Sequence, residues 1–521
     1  MRPFAARCRP LSIAHALAVS VVWVAAEPGT TVAPQPVAEL RARIEAHVGI
    51  PRFSPALWGI KIVSLNTGQT WYEHHADRLL SPASNCKLYV GALALDLLGP
   101  DYRIVTPIFA TTAPDASGTV AGDVIVSGRG DPSWKARGTG RKFADIFEPF
   151  VTVLQKAGVR HVRGDIVADA TFFRGPPNGA GWTADDLDDY YGAEISAISL
   201  EQNYAEMRVA PAAPGEPARL TLLHPATGLE LDNRAMTVAA GAEREFHTRR
   251  LFGENVVHVF GRIPADTPAE NVDLTVPAPA RWFAQALREV LIQRGIRVDG
   301  SARHRRWPDP PAVNDHCTRL GEVSSPPLRE LVASFMKASQ NLETDLVFGH
   351  VGENARNDEM PEWRTSEDSA LNALREFLRR YELPADEVRF DEGSGLSRNN
   401  LASANATVAL LKFMASHPAA KDYIDSLPVA GIDGTLRRRM KATVAENNVR
   451  AKTGTLRWSN SLSGYVTTAA GERLVFSLML NRAVMPPGRN AREDLDAIAV
   501  MLASFGGREE PSKSAVTGSG N

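Results

Sequence analysis

Serine and lysine stand three positions apart in two places, first at Ser84 and Lys87 and again at Ser334 and Lys337. On a helix, residues at this spacing share one face. Burial disfavours the charged form of lysine, and a neutral amine beside a hydroxyl group can take its proton. Such a pair can therefore supply an activated serine nucleophile, the starting point of acyl-transfer chemistry.

The surroundings of the two pairs favour the first one. Pro82 and Ala83 lead into Ser84, which stands at the predicted start of a helix over 84–98, where backbone N–H groups favour developing negative charge. This helix is apolar nearly all round, and such a helix is buried in a core. Ser334 has neither feature and comes directly before another candidate motif, so we interpret it as a packing or surface serine.

A second motif, Ser339-Gln340-Asn341, can complement the nucleophile. Its serine can pass a proton between a lysine and a leaving group, and its asparagine can hold a substrate amide. The same pattern also occurs at 64–66 and 397–399, so it indicates little by itself.

The third motif, Lys452-Thr453-Gly454, occurs once in the chain and is followed by Thr455. It continues a predicted β-strand that begins at residue 449. A lysine and a threonine hydroxyl on a strand can clamp a carboxylate, and the glycine is expected to let a substrate backbone approach closely. The motif therefore predicts a substrate-binding strand, on which Thr455 offers its backbone N–H.

The elements that must position these motifs fall into three stretches. Residues 27–103 are predicted to form helix and β-hairpin, residues 104–314 to form short strands with glycine- and proline-rich turns, and residues 315–506 to be mostly helical with three strands near the end. The pattern predicts an α/β core interrupted by a β-rich insert of two nested domains. Residues 27–40 are expected to be a linker and residues 507–521 a disordered tail.

The N-terminus has the pattern of a secretory signal. Arg2, Arg7 and Arg9 precede an apolar stretch over 11–24, and small residues follow it, which predicts cleavage after Ala26. The alternative is an uncleaved anchor. No later stretch is apolar enough to span a membrane, so the product is expected to be soluble and exported to the periplasm or cell envelope.

Composition excludes several other functions. The 521 residues carry 58 Lys and Arg against 60 Asp and Glu, a net charge of -2, so nucleic acid is not an expected partner. After signal cleavage only Cys86 and Cys317 remain, too few for a disulfide framework. No zinc or EF-hand motif is present, and no cofactor is expected. Cys86 is interpreted as a small buried apolar residue, with an oxidation-sensitive thiol as the alternative.

The three motifs occur in the order that class A β-lactamases and penicillin-binding proteins share. The chain resembles the low-molecular-mass class C penicillin-binding proteins, a family of D-alanyl-D-alanine carboxypeptidases and endopeptidases. The long separation of Ser84 from Ser339 fits this family, whose members carry inserted domains between the first two motifs. The resemblance runs from about residue 50 to about residue 505 and is carried by residues 82–88, 130–132, 339–341, 391–396, 427–436 and 451–456.

The resemblance implies a multidomain α/β fold with a penicillin-binding-protein/β-lactamase-like transpeptidase core, in which helices flank an antiparallel sheet. It implies an exported enzyme that cuts D-Ala-D-Ala-type bonds in the stem peptides and cross-links of peptidoglycan through an acyl-serine intermediate. β-Lactam antibiotics would then be inhibitors, and no metal or other cofactor would be needed.

The resemblance also implies roles for the motif residues. Ser84 is the expected nucleophile, Lys87 its base, and Ser339 the group that delivers a proton to the leaving amine. Gln340, where the family often has Asp or Asn, is expected to point away from the substrate. The backbone N–H groups of Ser84 and Thr455 are expected to hold the oxyanion. The substrate-binding residues are expected to be Asn341, Lys452, Thr453, Gly454 and Thr455.

Two other functions stay open. A β-lactamase needs a deacylating base, such as the glutamate of the class A enzymes, and the sequence identifies none. An exported wall-binding scaffold is expected to have a degenerate site, whereas the three motifs here are intact. An α/β-hydrolase is disfavoured because the chain has no G-x-S-x-G motif. The sequence does not decide between carboxypeptidase and endopeptidase action, the preferred third residue of the stem peptide, or the oligomeric state.

Overall fold

The computed structural model describes residues 36–507. The α-helices of this part of the chain are α1 (Val37–Val48), α2 (Cys86–Leu98), α3 (Glu148–Lys156), α4 (Pro279–Gln293), α5 (Leu328–Ala338), α6 (Asn341–Ala355), α7 (Ser366–Arg380), α8 (Ala404–Met414), α9 (Ala420–Ser426) and α10 (Ala491–Ser504).

The strands in the first half are β1 (Leu57–Ser64), β2 (Thr70–His74), β3 (Val105–Ala110), β4 (Thr119–Val120), β5 (Val124–Ser127), β6 (His161–Val162), β7 (Ile166–Ala170), β8 (Tyr204–Ala210), β9 (Arg219–Leu222), β10 (Glu230–Val238), β11 (Glu245–Arg250) and β12 (Val256–Pro264). The remaining strands are β13 (Glu270–Thr275), β14 (Arg297–Val298), β15 (Ala302–Arg306), β16 (Thr318–Ser324), β17 (Val388–Arg389), β18 (Leu401–Ala402), β19 (Arg450–Leu456), β20 (Ser459–Thr467) and β21 (Arg473–Asn481).

The expected linker over 27–40 is wrong at its end, because α1 begins at Val37. Leu40 and Ile44 of α1 are buried four residues apart, as on the apolar stripe of a helix that packs on a core. The expected signal over 1–26 and the expected tail beyond residue 507 lie outside the described residues. Within residues 36–507, none of the helices has both the length and the apolar character needed to cross a lipid bilayer.

One five-stranded antiparallel sheet carries the third motif. Its strand order is β19-β20-β21-β1-β2, and β1 and β2 form the predicted hairpin. The strand with the motif, β19, lies at the edge and pairs in this sheet with β20 alone. An edge strand presents backbone N–H and C=O groups that an extended peptide can pair with.

Helices cover both faces of this sheet because side chains alternate along its strands. Leu474 and Phe476 of β21 pack in a cluster with α1 and α10 on one face. Val475, between them, packs on the other face in a cluster with α2, α5, α6, α7 and α8. The buried, apolar α2 lies at the centre of the second cluster, with every side chain from Cys86 to Leu95 buried.

The segment between α2 and α5 forms four further sheets. One has five strands in the order β15-β7-β5-β3-β16, and the others are β14-β6-β4, β13-β8-β9 and β10-β12-β11. Helices α3 and α4 join them in one hydrophobic cluster, in which Phe150 and Phe283 are fully buried. The sequence pattern predicts strands at 103–110, 122–127, 162–168, 205–209, 220–223, 256–261 and 272–276, and each overlaps an observed strand. It does not predict β4, β10, β11, β14, β15 or β16.

Strand pairing links the two ends of this segment. β16, at 318–324, pairs antiparallel with β3, at 105–110. Residues 318–324 therefore belong to the same sheet as the segment that starts after α2, although the predicted boundary stands at 314. The boundaries of the domains themselves stay a prediction.

Candidate active site

Ser84 lies on a tight turn directly before α2. A 3₁₀ turn spans Ala83–Asn85 and the α-helix begins at Cys86, so the predicted helix starts two residues later than expected. Ala83 adopts a left-handed conformation with φ of 48°, which is uncommon for a residue with a Cβ atom. Such strained backbone persists only where the surrounding structure holds it, and it occurs often at active sites.

Two glycines allow neighbouring segments to press against this turn. A Cβ on Gly395, whose φ is +86°, would stand 2.1 Å from the carbonyl oxygen of Ala83. A Cβ on Gly454 would stand 2.5 Å from the carbonyl oxygen of Pro82. On the side where a Cβ would stand, the space beside Gly454 is filled by the protein itself, so Gly454 lets β19 approach the turn that carries Ser84. The role expected for Gly454 toward the substrate stays a prediction.

Lys87 is fully buried, and its Nζ lies 3.1 Å from Ser84 Oγ. The same nitrogen donates to Asn341 Oδ1 at 2.7 Å and to the carbonyl oxygen of Ser394. Burial lowers the pKa of Lys87 to about 8. A neutral amine has two N–H bonds and one lone pair. When the two oxygens accept the two N–H groups, the lone pair is left for the hydroxyl proton of Ser84.

Buried carboxyl groups surround this lysine. The charges of Asp345 and Glu392 favour the ammonium form of Lys87 and partly offset the effect of burial on its pKa. Glu392 is fully buried and accepts hydrogen bonds from the backbone N–H groups of Ser394, at 2.8 Å, and Gly395, at 2.7 Å. These bonds hold the loop that brings the carbonyl group of Ser394 to Lys87.

Ser339 ends α5 in a left-handed conformation, with φ of 57°. Its Oγ accepts a hydrogen bond from Lys452 Nζ at 2.7 Å, so the second and third motifs meet directly. The Gln340 side chain caps α6, since its Oε1 accepts from the backbone N–H of Leu342 at 3.0 Å. The Gln340 side chain is therefore hydrogen-bonded within the protein, at the start of α6.

Asn341 links the core to the inserted segment. Besides accepting from Lys87, it donates from Nδ2 to the carbonyl oxygen of Tyr191 at 2.9 Å. Both ends of the amide are therefore engaged, which fixes the orientation of the side chain beside Ser84.

Lys452 is also fully buried, and its pKa lies well below the usual value because of burial and, secondarily, the charge of Lys87. It follows that a negative group is needed to keep Lys452 charged. The neighbouring Thr453 is held by a hydroxyl contact of 2.8 Å with Thr435. Thr455 is exposed, two positions further along β19.

One cleft of about 570 Å³ joins these groups. Lys87 and Lys452 are buried in contact with its lining, through Ser84 and Ser339 respectively. The structure thus brings all the predicted site residues together, although they come from distant parts of the chain. Those that line the cleft are Ser84, Ser339, Asn341, Thr453 and Thr455.

The profile of one peptidase family, the D-Ala-D-Ala carboxypeptidase 3 (S13) family, matches residues 40–502. The chain belongs to this family. It is 34% identical over 488 residues to the D-alanyl-D-alanine carboxypeptidase of Actinomadura sp. (strain R39), covering 91% of this chain and 86% of that relative. It is 24% identical over 424 residues to the D-alanyl-D-alanine carboxypeptidase DacB of Haemophilus influenzae, covering 80% of this chain and 84% of that relative.

Solved structures show the same fold. Penicillin binding protein 4 (dacB) from Haemophilus influenzae matches with a TM-score of 0.74 at 21% identity, over 88% of this chain and 98% of that one. A second structure of that protein, complexed with a novel beta-lactam, gives a TM-score of 0.69. The expected multidomain α/β fold of a penicillin-binding protein is confirmed, and membership of the S13 family confirms a serine-type D-Ala-D-Ala carboxypeptidase.

The two members of the second serine–lysine pair of this S13 chain bind different partners. Ser334 Oγ donates to Glu343 at 2.6 Å and accepts from Lys135 Nζ at 2.9 Å. Lys337 Nζ instead contacts Asp433 at 2.7 Å. The interpretation of Ser334 as a packing serine is confirmed.

The structure adds several residues to this site that the sequence alone did not assign a function. Ser394 and Thr435 lie in stretches that contribute to the family resemblance, but neither was assigned a function there. Tyr191 contributes a backbone carbonyl, for which any residue type would serve. Arg398 and Asp186 form an ion pair of 3.0 Å, and both line the cleft.

Cys86 is fully buried beside Lys87, and its Sγ accepts from the Asn400 side chain at 3.4 Å. Burial raises the pKa of its thiol well above the usual value, which disfavours the reactive thiolate. The interpretation of Cys86 as a small buried residue is confirmed. Cys86 and Cys317 are both free thiols.

Proposed function

We propose that this S13 enzyme is an exported, penicillin-sensitive peptidase that cleaves D-Ala-D-Ala-type bonds of peptidoglycan through an acyl-serine intermediate. One observation carries the proposal: Ser84 Oγ lies 3.1 Å from the buried amine of Lys87, in a cleft that the other two motifs also reach. The lowered pKa of Lys87, about 8, supports its role as a base near neutral pH.

In the acylation step, Ser84 Oγ attacks the carbonyl carbon between the two D-alanines while Lys87 takes the hydroxyl proton. The carbonyl oxygen becomes an oxyanion, which the backbone N–H groups of Ser84 and Thr455 would stabilise. Asn341 Oδ1 and the carbonyl group of Ser394 hold the amine of Lys87 throughout, so the base needs little reorientation.

The leaving amine needs a proton as the C–N bond breaks. The hydroxyl of Ser339 can supply it and recover one from Lys452, which lies 2.7 Å away. Lys452 and Thr453 would bind the terminal carboxylate of the substrate. Because that carboxylate favours the ammonium form of Lys452, substrate binding supplies the charge that burial removes.

Before deacylation, Lys87 must release its proton, which restores through solvent the one that Lys452 gave up. Lys87 then takes a proton from the attacking water and passes it to Ser84 Oγ as the ester C–O bond breaks, and the shortened peptide leaves. A β-lactam carries a carboxylate and a strained amide, so it would enter by the same route and leave Ser84 acylated. The structure of the Haemophilus influenzae relative complexed with a beta-lactam supports this part of the proposal.

The cleft also supports cleavage of cross-links. Its volume of about 570 Å³ exceeds what a single D-alanine leaving group fills. The strand β19, at the edge of its sheet, would offer backbone groups to an extended peptide on one side of the cleft. We propose endopeptidase action on cross-linked stem peptides as a second use of the same acylation chemistry.

Export is proposed from the sequence of residues 1–26, with its basic start, apolar stretch and small residues before position 27. A bacterium expressing the full chain should release a protein that begins at Glu27. Mass spectrometry of the N-terminal peptide from the periplasmic or secreted fraction tests this, and an intact N-terminus in the membrane fraction would contradict it.

The deciding experiment is labelling of the mature protein with a fluorescent penicillin, followed by mapping of the modified peptide. We expect one stable adduct on Ser84, absent in Ser84→Ala, and release of D-alanine from pentapeptide muropeptides at a rate that penicillin suppresses. Rapid turnover of the penicillin would instead indicate a β-lactamase. The absence of both label and turnover would contradict an active acyl-transfer site.

A further inference from the structure

Two arginines that line the cleft have no role in the acylation and deacylation steps, namely Arg439 and Arg492. Arg439 comes shortly after Thr435, the residue whose hydroxyl contacts Thr453 at 2.8 Å. Arg492 lies in the first turn of α10. Both therefore stand on segments that adjoin the place proposed for the substrate carboxylate.

The guanidinium of Arg439 is held by α10. Its Nε and Nη2 donate to the carboxylate of Asp496 at 3.1 Å and 2.7 Å, and Nη2 also donates to the carbonyl oxygen of Arg492 at 3.4 Å. The charge of Arg439 is thus compensated within the protein. These contacts fasten the start of α10 to the segment after Thr435, and they hold Arg492 beside the cleft.

The charge of Arg492 is not compensated in this way. Among residues 36–507, no carboxylate lies within ion-pair distance of its guanidinium, and the residue is exposed. The acidic residues that follow it on α10 each pair with another cation, and these pairs are Glu493–Arg489, Asp494–Arg52 and Asp496–Arg439. A solute in the cleft can therefore reach a cation that has no partner of its own.

The surroundings of Arg492 favour negative charge. Asn490 caps α10, since its Oδ1 accepts from the backbone N–H of Arg492 at 3.0 Å, and the N-terminus of a helix carries partial positive charge. The acidic residues of the cleft lining, Asp185 and Asp186, come instead from the inserted segment, where Asp186 pairs with Arg398. The wall of the cleft at the start of α10 is thus cationic.

This wall bears on the chemistry of the leaving group. D-Alanine has a single carboxylate, for which Lys452 and Thr453 are proposed. In a cross-link, the leaving amine belongs to a neighbouring stem peptide, which carries further carboxylates besides the one next to that amine. A guanidinium binds a carboxylate through two parallel hydrogen bonds, a geometry that a lysine ammonium does not offer.

We propose that Arg492 is a specificity-determining residue, which binds a second carboxylate of the leaving group and favours cross-linked peptides over those that end in a single D-alanine. Arg439 is then a positioning residue, because it acts through its hold on α10. The inference rests on the proposed function, which assigns the first carboxylate of the leaving group to Lys452 and Thr453.

Two synthetic peptides isolate the second carboxylate. N-acetyl-L-Lys-D-Ala-D-Glu and N-acetyl-L-Lys-D-Ala-D-Gln differ only in the charge of the last side chain, and initial rates of D-Glu and D-Gln release by the mature protein give kcat/KM for each. We expect a preference for the D-Glu peptide of about threefold or more, since a bidentate arginine–carboxylate pair is the strong form of a partly exposed ion pair. The preference should lie in KM, because the contact forms equally in the bound substrate and in the transition state.

Variants assign the preference to one side chain. Arg492→Gln should bring the ratio of the two kcat/KM values to about one, and Arg492→Lys should restore part of the preference. Arg492→Glu should reverse it, because like charges repel. Arg379→Gln is the matched control: this exposed arginine lies on α7, which packs on the opposite face of the sheet from α10, and the ratio should stay at the parent value.

Thermal unfolding checks that each variant is folded. A preference for D-Glu that persists in both Arg492→Gln and Arg492→Glu would assign the second carboxylate to another group and refute the proposal. Cleavage of the two peptides by the parent protein with equal kcat/KM would overturn this inference alone. If neither peptide is cleaved and penicillin does not label Ser84, the proposed function fails, and the inference fails with it.

Discussion

Lys87 on α2 and Lys452 on β19 lie beside one cleft, and the charge of Lys87 adds to burial in lowering the pKa of Lys452. Two ammonium groups buried in one site repel each other, so the empty site favours loss of a proton. A carboxylate bound at Lys452 would raise the pKa of Lys452 again and keep this lysine charged. The pair therefore separates its roles by position: Lys87 contacts the Ser84 hydroxyl, and Lys452 contacts Ser339 and the place proposed for the substrate carboxylate.

The rate of acylation should depend on pH through Lys87. The base acts when it is neutral, and its pKa is lowered to about 8, so the neutral fraction falls about tenfold for each pH unit below that value. We expect the second-order rate constant for acylation by benzylpenicillin to rise with pH and to level off above about pH 8. Stopped-flow measurements from about pH 6 upward test this, and a flat profile would contradict Lys87 as the base.

Asn341→Asp should shift that profile. The variant places a carboxylate at the position 2.7 Å from Lys87 Nζ, where it favours the ammonium form. An opposite charge this close raises a lysine pKa by about 1–3 units, so acylation at neutral pH should fall about 10- to 1000-fold. The rising limb should move to higher pH. Asn341→Ala, which removes the acceptor without adding charge, should slow acylation without this upward shift.

Ser334→Ala separates the two serine–lysine pairs. Ser334 bridges Lys135 and Glu343, so its loss should lower the free energy of unfolding by about 1–3 kcal/mol, as measured by urea denaturation. Penicillin labelling of Ser84 should remain within about twofold of the parent rate, since Ser334 has no contact with Lys87. Loss of labelling in a folded Ser334→Ala protein would show that the two motifs were assigned the wrong way round.

Glu392→Gln should destabilise the loop that holds Lys87. The two carboxylate oxygens accept hydrogen bonds from the N–H groups of Ser394 and Gly395. In the glutamine variant an NH2 group replaces one of these oxygens, and it cannot accept a hydrogen bond from a backbone N–H. We expect a loss of about 3 kcal/mol in the free energy of unfolding, because a buried hydrogen-bonded charge is removed. Asp391→Asn, next to it and only partly buried, is the control and should cost less than about 1 kcal/mol.

The residues proposed as catalytic could be selected from the sequence because their signals are local. Ser84 and Lys87 share a helical face by spacing alone, and the apolar run of α2 indicates burial of the lysine. Contacts made by backbone groups have no such signal. The carbonyl of Ser394 reaches Lys87 across 307 positions of sequence, and every residue type has a carbonyl. The role of that loop therefore required the structure.

Elements were missed where tertiary contacts override the local pattern. Helix α6 is buried on nearly all sides, and its polar residues, such as Glu343 and His350, are buried with hydrogen-bond partners. It therefore lacks the stripe of apolar residues that predicts a helix. Strand β11 was missed for the opposite reason, because its side chains are partly or fully exposed and mostly polar or charged. Its strand conformation is defined by its pairing with β12.

The contact between Gly454 and the Ser84 turn gives the last prediction. In Gly454→Ala the added Cβ would stand 2.5 Å from the carbonyl oxygen of Pro82 and 2.2 Å from Ser461 Oγ, so β19 or the turn must move. Overpacking of this kind costs about 1–3 kcal/mol of stability, measurable by urea denaturation.

Displacement of the Ser84 turn relative to β19 also separates the nucleophile from the N–H of Thr455. Displacing one oxyanion donor slows such reactions by about 100- to 1000-fold, so penicillin acylation should fall by a similar factor. Gly506→Ala, where a Cβ meets nothing within 4 Å, is the control and should acylate at the parent rate. Unchanged acylation in Gly454→Ala would show that the turn absorbs the added atom, and that close packing of β19 against the turn does not position Ser84.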